Sequence, residues 1–397
     1  MMISERAKKV KPSATLSIDT KAKEMKAAGI DVISFAVGEP DFDTPDNIKA
    51  AAIKAINEGF TKYTPVGGIP ELKNAIATKL QKDNGLEYKP NEILVSVGAK
   101  HSLYNAAQAL YSEGDEVIIP APYWVSYPDQ ALLNDAIPVI VETREEDLFV
   151  VTPEQLSKAV TKKTKAIVLN YPSNPTGFTY DRKALEAIAE IAVKNNIYVI
   201  SDEIYEMLLY DGLKHVSIAS IDPEIKKRTI VINGFSKSYA MTGWRIGYAA
   251  GDAAVIKAME NIQSQSTSNP TSISQKAALE AINGPQDFIP VMLAEFDKRR
   301  KYLVAELNAI DGVSCKMPQG AFYAFANIKA YLGKKSPNME VADSSAMALY
   351  LLEEAAVALV PGSAFGAEGY IRMSYATSME KITEGLKRIK SALQKLA

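Results

Sequence analysis

Short apolar runs separated by longer amphipathic stretches predict an α/β fold, with a mostly parallel central sheet in a large domain and a smaller α+β domain beside it. Two observations carry this reading. The runs at 93–97, 116–119, 166–170, 198–201 and 229–232 are rich in Val and Ile and continuous rather than alternating, as strands buried on both faces are. After about Gly284 the pattern changes to a long charged helical stretch, 287–308, and strand-like segments at 321–325, 358–360 and 370–375. A chain of 397 residues can bury one large core and one smaller one. The large domain is expected at 44–285, and the small one at 286–397 together with the N-terminal segment 1–43.

In chain order, Thr44-Pro45 reads as the N-cap and first residue of a helix that stops at Gly59 in the left-handed region. The run at 93–97 leads into Gly98-Ala99-Lys100, which open a helix to about Tyr111. The run at 166–169 ends in Asn170 and the segment Tyr171-Pro172-Ser173-Asn174-Pro175-Thr176-Gly177. The one at 198–200 ends in Ser201, Asp202, Glu203 and Tyr205, and the one at 229–232 leads to Gly234, Ser236 and Lys237, then Trp244 and Arg245.

Bulk composition narrows the function. The formal net charge is -2 with Lys and Arg spread along the chain, so no footprint for nucleic acid or an anionic membrane is expected. Cys315 is the single cysteine, and His101 and His215 stand far apart, so neither a disulfide nor a metal site is expected. The first ten residues hold Glu5, Arg6, Lys8 and Lys9 without an apolar run. The expectation is a cytoplasmic protein with no secretory signal and no spanning helix.

Ligands of open α/β sheets lie at the carboxyl ends of the strands, where this chain gathers an amine, a carboxylate, an amide, a phenol, a guanidinium and a helix N-terminus. The set suits a phosphorylated aromatic cofactor. The first amides of the helix at Gly98–Lys100 suit a phosphate, and Ser236 and Arg245 would complete the cup. Asp202 suits a protonated pyridine nitrogen, and Lys237 suits a Schiff base if desolvation strips its proton. Neither GxGxxG nor GxxxxGK[ST] occurs. Taken singly, each residue has a plain alternative: Lys237 a surface lysine, Asp202 a helix cap, Asn174 a turn residue, Trp124 core, Ser236 an N-cap, Arg245 a surface ion pair. Only their joint order at successive strand ends favours the site.

At these residues the sequence resembles the class I aminotransferases, pyridoxal-phosphate enzymes of fold type I. The run from Ser236-Lys237-Ser238-Tyr239-Ala240-Met241-Thr242-Gly243-Trp244-Arg245 to Tyr248 resembles the cofactor-lysine signature. The segments 171–177, 201–205, Gly38-Glu39-Pro40-Asp41-Phe42 and Arg372-Met373-Ser374-Tyr375-Ala376 match in the family's order. The nearest branch resembles the prokaryotic aspartate aminotransferases, some of which also act on prephenate. The resemblance implies pyridoxal 5'-phosphate on Lys237, with Asp202 at the ring nitrogen and Tyr205 and Asn174 at the ring oxygen. It implies Trp124 stacked on the ring, and Ser236, Arg245 and the amides of Ala99 and Lys100 on the phosphate. Tyr63 would reach the neighbouring subunit's phosphate, implying a homodimer with shared sites, and Gly38 and Arg372 would grip the α-carboxylate. Lys237, Asp202 and Tyr205 are the catalytic set implied, in a ping-pong transfer from amino acid to 2-oxo acid.

Arg372 also has independent support, because 370–375 alternates and sets Arg372 and Ser374 on one face; a solvated strand face is the alternative. Lys100, helped by Ser13 and Thr15, matches the position that takes a distal carboxylate in this branch, or it only offsets phosphate charge. Lys11 matches a position linked to prephenate, or it is a surface lysine. Aspartate or glutamate donors are expected, with an aromatic or prephenate aminotransferase as the alternative. An effector-sensing regulator on the same fold is the remote alternative. It would need a DNA-binding domain, for which the roughly forty residues before the large domain are too few.

Overall fold

A computed structural model describes residues 3–10, 14–337 and 339–397, with the side chains of 14–17 and 19 outside that description. In chain order the strands are β1 (Ile33–Ser34), β2 (Ile93–Ser96), β3 (Glu116–Ala121), β4 (Ile137–Glu142), β5 (Thr164–Asn170) and β6 (Tyr198–Asp202). They continue as β7 (Thr229–Gly234), β8 (Gly247–Ala250), β9 (Tyr323–Asn327), β10 (Val357–Ala358), β11 (Val360–Pro361) and β12 (Tyr370–Ser374). Seven of them form one sheet in the order β2-β8-β7-β6-β5-β3-β4. All five expected runs are strands of it, and every residue of β2 and β7 is buried, as continuous apolar runs require.

Two strands of this sheet were not expected. β8, Gly-Tyr-Ala-Ala, has weak strand propensity, yet it inserts antiparallel between β2 and β7. β4 contains Pro138 and is only partly buried, which suits a proline strand at a sheet edge. The sheet is therefore mostly parallel, with one antiparallel member.

The helix expected from Thr44 begins later. Pro45 holds the N-cap and the helix is Asp46–Asn57. The Thr44 hydroxyl instead donates to Ala240 O at 2.6 Å and accepts from Trp244 Nε1 at 2.9 Å. It is spent on the segment after Lys237. Gly59 does adopt the left-handed conformation, φ 74°.

The expected 287–308 helix is Phe288–Asn308. A second, antiparallel sheet runs β11-β12-β9. Here the segment expected at 321–325 starts two residues later, because Ala321 is left-handed (φ 56°). The expected 358–360 strand is split into β10 and β11. β10 pairs in parallel with β1, so the N-terminal segment joins the C-terminal part of the chain. One apolar core holds Ile33 and Phe35 together with residues from Met292 to Leu396. All five residues of β12 are buried, which overturns the solvated-face alternative for Arg372. No helix of the described residues is long and apolar enough to cross a membrane.

Candidate active site

The carboxyl ends of β5, β6 and β7 and the start of helix Ala99–Leu110 open on one cavity of about 570 Å³. Gly38, Ala99, Lys100, Trp124, Asn174, Asp202, Tyr205, Ser236, Lys237, Arg245 and Arg372 all line it. Eleven residues singled out in the sequence thus meet in one space. Lys11 and Ser13 lie outside the described residues, as does the side chain of Thr15. Tyr63 stands away from the cavity, 91% exposed.

Lys237 is partly buried at the cavity, and its Nζ donates to Gly38 O at 2.5 Å. Desolvation lowers its pKa to about 8, against the opposing pull of Glu39; Arg372 and Arg245 lower it further. The plain reading of a surface lysine is therefore wrong. Asp202 is 4% exposed, and burial lifts its carboxyl to about 6. Tyr127 opposes that shift by donating to Asp202 Oδ2 at 2.7 Å, and Ile204 N reaches Oδ1 at 3.3 Å. Burial holds the Tyr127 phenol well above its ordinary pKa, so it remains a donor.

Asn170 ties two of these strand ends together. Its Nδ2 donates to Asp202 O at 3.1 Å, and its Oδ1 accepts from Asn174 N at 2.8 Å. Asn174 Oδ1 in turn accepts from Arg372 Nη1 at 3.0 Å, and Arg372 Nη2 donates to Ala36 O at 2.5 Å. Arg372 is 2% exposed and its Nε has no partner among the described residues. A buried guanidinium with an unspent donor suits a carboxylate ligand.

At the other end, Gly98 (φ 84°) precedes helix Ala99–Leu110. A Cβ there would lie 2.5 Å from Arg245 Nη2, so the glycine lets the guanidinium sit against the helix start. Among the described residues no carboxylate ion-pairs with Arg245; its Nη1 donates to Thr242 O at 2.9 Å. Nor does Ser236 cap a helix. Lys100 Nζ lies 4.6 Å from the Trp124 ring centroid, and burial lowers its pKa.

The residues 30–389 match the family model described as aminotransferase class I and II. The chain belongs to that family. Over 388 residues it is 54% identical to the aspartate aminotransferase of Bacillus sp. (strain YM-2), covering 98% of each chain. It is 50% identical to the aspartate/prephenate aminotransferase of Nitrosomonas europaea, covering 99% of this chain and 100% of that one. The aspartate aminotransferase structure from Rhizobium meliloti superposes with a TM-score of 0.97 at 45% identity over 100% of both chains. The Thermus thermophilus aspartate aminotransferase with maleate gives 0.93 at 43% identity, covering 99% of this chain and 100% of that one.

For a class I and II aminotransferase, the cavity residues that the sequence reading omitted include Tyr127 and Tyr323, beside Lys23, Leu103, Ser126 and Asp129. Tyr127 stands three positions after Trp124, at helical spacing, and that was the available signal. Tyr323 opens β9 without any motif, and its hydroxyl lies 2.8 Å from that of Tyr205.

Proposed function

We propose that this aminotransferase moves the amino group of aspartate or glutamate to a 2-oxo acid, using pyridoxal 5'-phosphate held at Lys237. The observation that carries the reading is the desolvated Lys237 amine in one cavity with the buried Asp202 carboxylate and the half-spent Arg372 guanidinium. The residues fit that cofactor. Asp202 suits a protonated ring nitrogen, and Tyr205 and Asn174 suit the ring oxygen. The amides of Ala99 and Lys100, with Ser236 and Arg245, suit the phosphate across the space that Gly98 leaves open. Trp124 offers its ring face.

Pyridoxal phosphate supplies, when bound, an electron sink for the charge left on the substrate's Cα. The protein's residues do the rest. Arg372, held by Asn174 and the Ala36 carbonyl, orients the α-carboxylate beside Gly38. Lys237 Nζ takes the Cα proton as general base, and its lowered pKa suits that task near neutral pH. Asp202, aimed by Tyr127, keeps a proton on the ring nitrogen by ion pairing.

Lys100 is the residue proposed to meet a distal carboxylate, which favours dicarboxylic donors; the maleate in the Thermus thermophilus structure is a dicarboxylate. Cytoplasmic residence, a homodimer in which Tyr63 reaches the partner's phosphate site, and the division into 44–285 against 1–43 plus 286–397 belong to the same proposal. The pairing of β1 with β10 supports the division.

Borohydride reduction followed by peptide mass spectrometry is expected to place the cofactor on Lys237; a label on another lysine refutes the assignment. Turnover of aspartate, phenylalanine and prephenate with 2-oxoglutarate, in wild type and Lys100→Ala, tests the donor. Equal loss on all three would remove Lys100 from specificity.

A further inference from the structure

The hydroxyls of Tyr205 and Tyr323 lie 2.8 Å apart and both residues line the cavity. Neither hydroxyl has another hydrogen-bond partner among the described residues. A phenol carries one proton and can also accept, so the pair holds two protons and spends one internally. One remains for a ligand. Tyr323 also has close neighbours on two further sides: the Arg372 guanidinium lies 4.7 Å from its ring centroid, and its hydroxyl sits so near Gly38 that a Cβ added there would come within 2.7 Å of it.

We propose that Tyr323 is a positioning residue that donates to Tyr205, so that the proton of Tyr205 is directed to the ring oxygen of the bound cofactor. The inference rests on the cofactor reading above. A phenol that accepts one hydrogen bond becomes a stronger donor in the next. Donation into the ring oxygen withdraws negative charge that would otherwise hold a proton on the cofactor-linked Lys237 Nζ. Burial holds both phenols above their ordinary pKa, so both keep their protons at working pH. The charged or titratable groups that face them and Lys237 are Arg372 from β12, Asp202 from β6, Arg245, and Glu39 beside Gly38.

The test is a spectrophotometric pH titration of the cofactor-loaded protein without substrate, in wild type, Tyr323→Phe, Tyr205→Phe and the double variant. Tyr323→Phe is expected to raise the titration midpoint by a few tenths of a pH unit, and Tyr205→Phe by more. The double variant should titrate with Tyr205→Phe, because Tyr323 acts through it. A wild-type midpoint in Tyr323→Phe, or shifts that add in the double variant, overturns the proposal. Absence of any Lys237-linked absorbance in the wild type would sink the cofactor reading itself and the proposal with it.

Discussion

Burial at Lys237 and Asp202 shifts two acid–base equilibria in opposite directions, and both have measurable signs. Lys237 is lowered to about 8, so the neutral amine that can attack an aldehyde dominates above that pH. The rate of cofactor attachment to the cofactor-free protein is expected to rise up to about pH 8 and then level off; stopped-flow absorbance reads it. Asp202 is raised to about 6, so its carboxylate is lost as pH falls through that value, and cofactor affinity should fall with it. Tyr127→Phe removes a donor to the charged form, so this acid limb should move to higher pH, and an unmoved limb would show that Tyr127 does not tune Asp202. Truncating one partner of a buried ion pair typically costs about 3–5 kcal/mol. At ~1.4 kcal/mol per tenfold, Asp202→Ala should lower kcat/KM by about two to nearly four orders of magnitude. Activity within tenfold of wild type would remove Asp202 from the ring nitrogen.

Among the elements, the start of helix Ala99–Leu110 depends most on a single residue. Gly98→Ala would force a side chain into an extended, positive-φ conformation (φ 84°, ψ 161°) that is essentially reserved for glycine, at a cost of about 1–3 kcal/mol, and would push on Arg245. Because the added Cβ would displace the Arg245 guanidinium, phosphate-dependent binding of the cofactor is expected to weaken while its ring contacts stay intact. Equilibrium dialysis with the phosphorylated and unphosphorylated forms separates the two. Just after β6, Glu203, Glu206 and His215 bring ligand-type atoms within 4.8 Å of one another. Every carboxylate oxygen there already accepts from a protein donor. Glu203 takes Ser201, Ser217 and His215, and Glu206 takes Lys79, Asn84 and Asn233. These bonds tie the chain that follows Asp202 to its neighbours, and they are expected to brace the strand that carries it. Lys79→Met would leave Glu206 short of its cation, with an expected loss of about 3–5 kcal/mol in denaturant unfolding; a loss under 1 kcal/mol would argue against that bracing.

Across the whole molecule, Tyr63 stands 91% exposed, with Ile53 and Ile56 exposed on the preceding helix at 57% and 51%. The proposed dimer would cover these side chains. Mixing Tyr63→Ala chains with Lys237→Ala chains should then regenerate one intact site per mixed dimer. Recovery of activity at limiting cofactor supports this, and no recovery after refolding together would refute a shared site.

By itself the sequence determined the α/β class, the five apolar strands and the order of functional groups at their ends, because burial on both faces and helix starts are written in local pattern. It also held Lys237, Asp202 and Asn174 at legible positions, Asp202 ending its strand and the other two following theirs. The tertiary structure decided the rest. β8 is a strand through its neighbours and not its composition, and Thr44 leaves its helix because Trp244 and Ala240 claim its hydroxyl. Tyr323 comes beside Tyr205 across 118 positions of chain, and Arg372 is buried on a strand whose alternation alone allowed solvent. Such contacts depend on how separate sheets pack, and packing over that distance leaves no periodic trace in the chain.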